Sequence, residues 1–367
     1  MNHWALLRLA LAVALLVGAN AAVAAADIVA ELDLRAADEP VSAAERWAPR
    51  GPIVVRVDSA EQLAGLQQVA GATPLVGVAD EAAALERIGD ATAIIGFCSP
   101  SLVAAAPKLH WIQIYWAGAE TCIAATAGAD NELLITNMQR ATGPQIAEHV
   151  FGMLLGLSRG IAAHVRVQDE AIWDPQRFPI TKRVELGGKT LLLVGLGGIG
   201  TAVAERAHAF GMRIVAVRAS GRPGPDYVAE VARPDQLLRL AAEADAIVNS
   251  APLTPKTKGM FDAEFFATMK PSAYFVNVGR GGSVVTDDLV AALRAGELAG
   301  VGLDVTDPEP LPRDHPLWQM QNVIITPHVA ADSDRVYERL FLVVRENLRR
   351  YVSGEPMLSV VDTERGY

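Results

Sequence analysis

Residues 190–200 read Thr-Leu-Leu-Leu-Val-Gly-Leu-Gly-Gly-Ile-Gly. A run that is apolar from Leu191 to Val194 has the pattern of a strand covered on both faces of a parallel sheet. Gly195, Gly197 and Gly200 follow in GxGxxG spacing, and a helical pattern from Thr201 to Phe210 comes next. In a strand–turn–helix unit these glycines have separate tasks. Gly195 permits the tight turn, Gly197 lets the backbone approach a pyrophosphate, and Gly200 lets the helix lie close on the strand. The helix N-terminus then presents unpaired N–H groups to phosphate charge. The stretch predicts a dinucleotide-binding Rossmann unit, with Gly195, Leu196, Gly197, Gly198, Ile199 and Gly200 around the cofactor.

Working downstream, a strand from Arg213 to Val217 ends at Arg218, and Ser220 and Arg222 follow. An acidic residue near this point would bind a ribose 2′-hydroxyl, whereas an Arg fork with a hydroxyl suits a 2′-phosphate. Arg218, Ser220 and Arg222 therefore favour NADP(H), with NAD(H) still open. The other reading is that both arginines are solvated loop charges. Three more apolar strands end in polar residues: Ala273 to Arg280, Gly300 to Asp304, and Val323 to His328. Ligands of open α/β sheets bind beyond the carboxyl ends of the strands, so Arg280, Asp304 and His328 are expected to converge. Glu309 follows in a loop fixed by Pro308 and Pro310.

Upstream, short β-branched runs at Ile53–Val57, Ala93–Phe97, Trp111–Ile114 and Leu134–Asn137 alternate with Ala-rich helical stretches such as Glu81 to Ile88. That alternation predicts a second parallel α/β sheet. A helix is expected from Ala141 to Gly160. Another, from Ser333 to Tyr351, is expected to fold back on the first domain. The expected fold is α/β, with two Rossmann-like domains of parallel sheet and a cleft between them. A cofactor domain, 141–330, is inserted into a substrate domain made of 27–140 and 331–367.

Composition sets outer limits. The chain has 367 residues, 51% hydrophobic and 20% charged, which suits globular domains. A formal net charge of −10 argues against a nucleic-acid partner, because nothing would offset phosphate repulsion. Cys98 and Cys122 lie in no CxxC or Cys/His cluster, so no metal site is expected. A disulfide between them is open, but two unpaired thiols are favoured, since a domain of this size needs no staple. Residues 1–26 carry Arg8, an apolar run from Leu9 to Val17, and Ala24-Ala25-Ala26 before Asp27. This is the pattern of a secretory signal peptide, which implies an exported or periplasmic protein with no membrane span after cleavage. An uncleaved anchor, or a misassigned start codon and a cytoplasmic protein, are the competing readings.

The segments VGLGGIG, NVGRGG, GLDVTDPEPLP and ITPH, in this order, are similar to those of the D-isomer-specific 2-hydroxyacid dehydrogenase family. GPQIAEHVFGMLL (143–155) and SAPLTPKTKGMF (250–261) extend the likeness, which covers roughly residues 75 to 350. The arginine pair resembles the branch of glyoxylate/hydroxypyruvate reductases that prefers NADPH. The resemblance implies reduction of a small 2-oxo acid by a homodimer, with Arg280, Glu309 and His328 catalytic. It adds Ala251, Pro252, Val278, Gly279, Arg280, Asp304 and His328 to the cofactor's contacts. Asp304 would accept from the nicotinamide carboxamide.

Chemistry gives reasons for the same three. Arg280 can clamp a carboxylate and polarise the neighbouring ketone. His328 can supply the proton, and Glu309 can orient its imidazole. The resemblance also implies a substrate-carboxylate loop at Trp116, Ala117 and Gly118, where backbone N–H groups hold the anion. Two aromatics, Tyr115 and Trp116, stand where family members have smaller or polar residues, and are expected to narrow or reshape the pocket. The other histidines, His149 among them, read as solvated or packing residues. The alternative to an enzyme is a non-catalytic NADP-binding or sensing protein of the same fold.

Overall fold

The structure is a computed structural model that describes residues 28–128, 133–176 and 182–366. The segment read as a signal peptide lies outside the described residues. The chain divides into two compact units: one of the described residues up to Ala141 with those from Ser333 onward, the other Thr142–Asp332.

The first unit alternates strand and helix: β1 (Ile53–Arg56), α1 (Ala60–Ala70), β2 (Leu75–Val78), α2 (Glu81–Leu85), β3 (Ala93–Ile95), α3 (Pro100–Ala105), β4 (Trp111–Gln113), α4 (Glu120–Ala125) and β5 (Leu134–Thr136). The strands form one parallel sheet in the order β2-β1-β3-β4-β5. Ser59, Asp80 and Ser99 each start a helix by accepting a backbone N–H two or three residues into it. The last helix of the chain, α11 (Val336–Ser353), belongs to this unit. Its Val343, Val344, Leu348 and Tyr351 join Ile53, Val55 and Trp111 in one buried cluster. The Tyr351 ring stacks on Trp111 at 4.7 Å between centroids, and the indole N–H donates to Thr136 Oγ1 at 2.8 Å.

Cys98, just past β3, is disulfide-bonded to Cys122 in α4, with Cα atoms 5.4 Å apart. This corrects the expectation of two free thiols. Domain size bears on whether a staple is needed, not on whether two cysteines meet, and the turn after β3 carries Cys98 to the α4 surface.

The second unit contains α5 (Gly143–Ser158), α6 (Ile161–Val165), β6 (Thr190–Val194), α7 (Gly198–Ala209), β7 (Arg213–Val217), β8 (Val228–Ala232), α8 (Leu237–Glu243), β9 (Ala246–Asn249), α9 (Ala263–Thr268), β10 (Tyr274–Asn277), α10 (Thr286–Ala295), β11 (Gly300–Leu303) and β12 (Val323–Ile325). Its parallel sheet runs β12-β11-β10-β9-β6-β7-β8. Strand order reverses between β6 and β9, the place where ligands of such sheets bind. Leu191, Leu193, Val248 and Val276 pack on α5 and α7 on one face, and Leu192, Ile247 and Phe275 face the opposite cluster. Three strands went unread in the sequence: β2 and β8, both on sheet edges, and the four-residue β9. Trp173 is 97% exposed. No helix among the described residues is long and apolar enough to cross a membrane.

Candidate functional site

The glycine loop sits between β6 and α7. Gly195 has φ +99°, and a Cβ on it would lie 2.9 Å from the Ala251 nitrogen. A Cβ on Gly200 would lie 2.1 Å from the Gly195 carbonyl oxygen, so only glycine lets α7 start so close to β6. Gly197 is different: nothing lies within 4 Å of where its Cβ would be. A side chain there would fill the space over the loop without touching protein. Gly197 caps α7 without a side-chain hydrogen bond, which leaves the first N–H groups of the helix, at Gly198 and Ile199, without a capping partner. Leu196 is buried.

At the end of β7 the Arg218 Nη1 makes long contacts, 3.5 and 3.4 Å, to the carbonyls of Arg222 and Pro223. The Arg222 N–H points to Ser220 Oγ at 3.4 Å. These three residues thus share one turn. Across the strand reversal, a Cβ on Gly279 would lie 2.8 Å from the Ala251 carbonyl oxygen, so the Ala251–Pro252 and Val278–Gly279 segments run in contact.

A buried amide network fixes the Arg280 loop. Asn249, at the end of β9, donates to Asn277 Oδ1 (2.8 Å) and Ser283 Oγ (2.9 Å). Its own Oδ1 accepts the Ala251 N–H at 3.1 Å. Asn277 Nδ2 and Ser283 Oγ both donate to the Arg280 carbonyl, at 3.0 and 2.7 Å. Asn249, Asn277 and Ser283 are buried, and each bond they make avoids the cost of an orphaned polar group, about 1–3 kcal/mol. The Arg280 guanidinium reaches back to the Gly279 carbonyl at 2.8 Å. A Cβ on Gly281 would lie 1.9 Å from the Thr306 carbonyl oxygen. The loop bearing Arg280 is therefore pressed against the loop that leads to Glu309.

His328 follows β12 with φ +56°, an uncommon conformation for a non-glycine residue. Its N–H donates to the Asp304 carbonyl at 2.8 Å. The Asp304 carboxylate then secures the surrounding turn. It accepts from Thr326 Oγ1 (2.6 Å), the Val329 N–H (3.0 Å) and the Ala330 N–H (3.1 Å). The imidazole Nδ1 lies 2.7 Å from Glu309 Oε1. A carboxylate only accepts, so Nδ1 carries the proton of this bond and Nε2 is the ring atom left for a ligand. The His328 and Glu309 side chains are 46% and 43% exposed, open to small molecules. The second unit thus brings His328 and Glu309 into contact and braces Arg280 on the neighbouring loop.

His149 of α5 was not read as a site residue. Its Nε2 lies 2.9 Å from Thr326 Oγ1 and 3.7 Å from Asp304 Oδ1, behind the His328 turn. Its only sequence signal was its place in the 143–155 segment. Asn249 and Asn277 were missed as well; the signal was a polar residue closing each of two apolar strands.

In the first unit, Trp116–Gly118 links β4 to α4. Met138 N–H donates to the Trp116 carbonyl (3.1 Å) and Asn137 Nδ2 to that of Ala117 (2.6 Å). Among the described residues, the N–H groups of Ala117 and Gly118 donate to no protein acceptor. The Tyr115 hydroxyl donates to the Arg56 carbonyl at 2.9 Å, and burial pushes its phenol well above the usual range.

The profile of the D-isomer specific 2-hydroxyacid dehydrogenase NAD-binding domain matches residues 151–330. A glyoxylate reductase of Korarchaeum cryptofilum is 33% identical over 267 residues, 71% of this chain and 78% of that protein. An uncharacterized protein from the proB 3′ region of Corynebacterium melassecola is 45% identical over 181 residues, 49% of this chain and 59% of that one. The chain spans only 49% to 59% of the lengths of the first curated relatives it matches. Among solved structures, an NADPH-dependent glyoxylate/hydroxypyruvate reductase from Sinorhizobium meliloti, in complex with NADP and sulfate, superposes with a TM-score of 0.73. It is 27% identical, and the match covers 86% of this chain and 99% of that one. Similarity across both units, together with the profile match over the second, makes this chain a member of the D-isomer specific 2-hydroxyacid dehydrogenase family.

Proposed function

We propose that the protein reduces a 2-oxo acid to the D-2-hydroxy acid with NADP(H), in preference to NAD(H). The observation that carries this reading is the 2.7 Å pair of His328 and Glu309 beside the braced Arg280 loop. The residues present fit a dinucleotide. Gly197 keeps space open over the loop, the α7 N-terminus offers unpaired N–H groups, and Arg218 and Arg222 suit a 2′-phosphate. A bound reduced nicotinamide supplies hydride to the carbonyl carbon of the substrate.

The chain's own residues do the rest. Arg280 clamps the substrate carboxylate and draws charge toward the ketone oxygen. His328 holds a proton at Nε2 and gives it to that oxygen as the alcohol forms. Glu309 holds the ring in orientation through Nδ1. Asp304 holds the turn that aims His328 and keeps an acceptor position on Oδ2 for the carboxamide. The N–H groups of Ala117 and Gly118 bind carboxylate. Glyoxylate and hydroxypyruvate, the substrates in the names of relatives, are the first to try.

Export and a homodimer complete the proposal. The Cys98–Cys122 disulfide favours an oxidising compartment, in keeping with the signal-like pattern of residues 1–26. The test is a panel of glyoxylate, hydroxypyruvate, pyruvate and longer 2-oxo acids, assayed with NADPH and NADH side by side and with chiral analysis of the product. NADPH oxidation yielding the D-acid is the expected result. Calorimetric binding of NADPH without turnover of any acid would instead favour a cofactor-binding protein.

A further inference from the structure

A cavity of about 260 Å³ opens in the first unit at the carboxyl ends of β1 and β4. Most of its exposed lining is apolar, from Leu66 of α1, Trp116 after β4, and Leu340, Phe341 and Val344 of α11, while Arg56, Asp58 and Gln62 also line it. Engineered apolar cavities of roughly 150 Å³ take benzene, so this space holds a phenyl ring or a branched alkyl group with room to spare. Its shape is fixed from below. The Tyr115 ring lies over Gly96, where a Cβ would come 2.8 Å from Tyr115 Cε2, and its hydroxyl is tied to the Arg56 carbonyl. The ring is a wall and not a gate.

Trp116 gives the cavity its meaning. Its indole lines the apolar space, and its carbonyl is anchored by Met138. The next two residues, Ala117 and Gly118, carry the N–H groups that have no protein acceptor among the described residues. A ligand that suits this stretch has an anion at one end, for the amides, and an apolar body at the other. Glyoxylate has no such body, and hydroxypyruvate carries a polar one. We propose that the preferred substrate is a 2-oxo acid with an apolar side chain of branched-alkyl to phenyl size, seated against Trp116, Leu340 and Phe341. This rests on the 2-oxo acid reading above and goes past the two small acids named for its relatives.

One methylene in an apolar pocket is worth roughly 10- to 200-fold in kcat/KM, so a whole ring is expected to exceed the lower figure. The experiment compares phenylpyruvate and 4-methyl-2-oxopentanoate with glyoxylate and hydroxypyruvate, using NADPH and the full chain. The larger acids are expected to have kcat/KM at least tenfold higher, mostly through KM. Leu340→Trp, which fills the cavity, and Trp116→Ser, which removes a wall, are each expected to lower the ratio of phenylpyruvate to glyoxylate kcat/KM at least tenfold. Melting curves identify a variant that has failed to fold, and the other variant then decides.

A second arm titrates the same acids calorimetrically into protein saturated with NADP⁺, where no hydride is available. At least tenfold tighter binding of phenylpyruvate than of glyoxylate is expected. Reduction of glyoxylate or hydroxypyruvate at least as well as the larger acids overturns this inference and leaves the 2-oxo acid reading standing. If no acid of any size is reduced, that reading fails, and the titration alone decides whether the cavity takes an apolar anion. Equal affinities for phenylpyruvate and glyoxylate overturn it there too.

Discussion

His328 stands at a backbone φ of +56°, in a region that costs an ordinary residue about 1–2 kcal/mol. Three groups of Asp304 hold it there: the carbonyl oxygen takes the His328 N–H, and the two carboxylate oxygens take those of Val329 and Ala330. The imidazole is thereby aimed before any ligand arrives. Glu309 completes the aim through Nδ1, and Glu309→Gln is expected to lower kcat about tenfold. That is the low end of the worth of a charged hydrogen bond, because both side chains are nearly half exposed. Steady-state kinetics on a folded variant reads it, and an unchanged kcat would remove Glu309 from the mechanism. At this scale the sequence was legible where a polar residue closes an apolar strand. Arg280 and His328 close two apolar runs, and a polar residue there points at ligand. His149 was not legible, because its partners Thr326 and Asp304 lie far along the chain and meet it only when α5 packs on the sheet. Cys98 and Cys122 were misjudged for the same reason: their separation of 24 residues says nothing of the 5.4 Å between their Cα atoms.

In the strand–loop–helix of β6 and α7, two glycines of one motif meet different surroundings. Gly200 is required by protein packing, since its Cβ would sit 2.1 Å from a carbonyl oxygen. Gly197 is required by nothing in the protein. Gly200→Ala is therefore expected to lower the melting temperature by several degrees, at a cost of about 1–3 kcal/mol for overpacking. Gly197→Ala is expected to leave the melting temperature in place and to raise the NADPH dissociation constant at least tenfold. Thermal unfolding and calorimetry separate the two, and tight NADPH binding by Gly197→Ala would mean the loop does not cradle the cofactor. Elements with long apolar runs or firm punctuation, such as β6, β7, α5 and α11, could be read to within a few residues. The edge strands β2 and β8 could not, whereas β5 and β12, also at sheet edges, were read. The Val-Ala-Glu-Val-Ala of β8 and the Leu-Val-Gly-Val of β2 are mostly only half-buried, so their composition carries little of the signal of a covered strand.

At the scale of the whole chain, two parallel sheets were foreseen because strands and helices alternate through both halves and apolar strands need cover on both faces. The amphipathic C-terminal helix has an apolar side that needs a partner; its Val343, Val344 and Leu348 share a buried cluster with Ile53 and Val55 of β1. The cofactor also acts on the molecule as a whole. A ligand that binds only the folded state at about 100 times its dissociation constant adds about 2.7 kcal/mol of stability, worth several degrees of melting temperature. NADPH is expected to raise the melting temperature more than NADH at equal concentration, because only NADPH brings a 2′-phosphate to Arg218 and Arg222. Equal shifts would remove the reading of those arginines.

The central claim, that the chain is a 2-oxo acid reductase with His328 as its proton donor, meets its most direct test in one comparison. NADPH oxidation is followed with the best 2-oxo acid for the wild-type chain and for His328→Ala, both shown to be folded. Turnover by the wild type with kcat lowered about 10²–10⁴-fold in the variant is the expected result. A variant that turns over as fast as the wild type would contradict the claim.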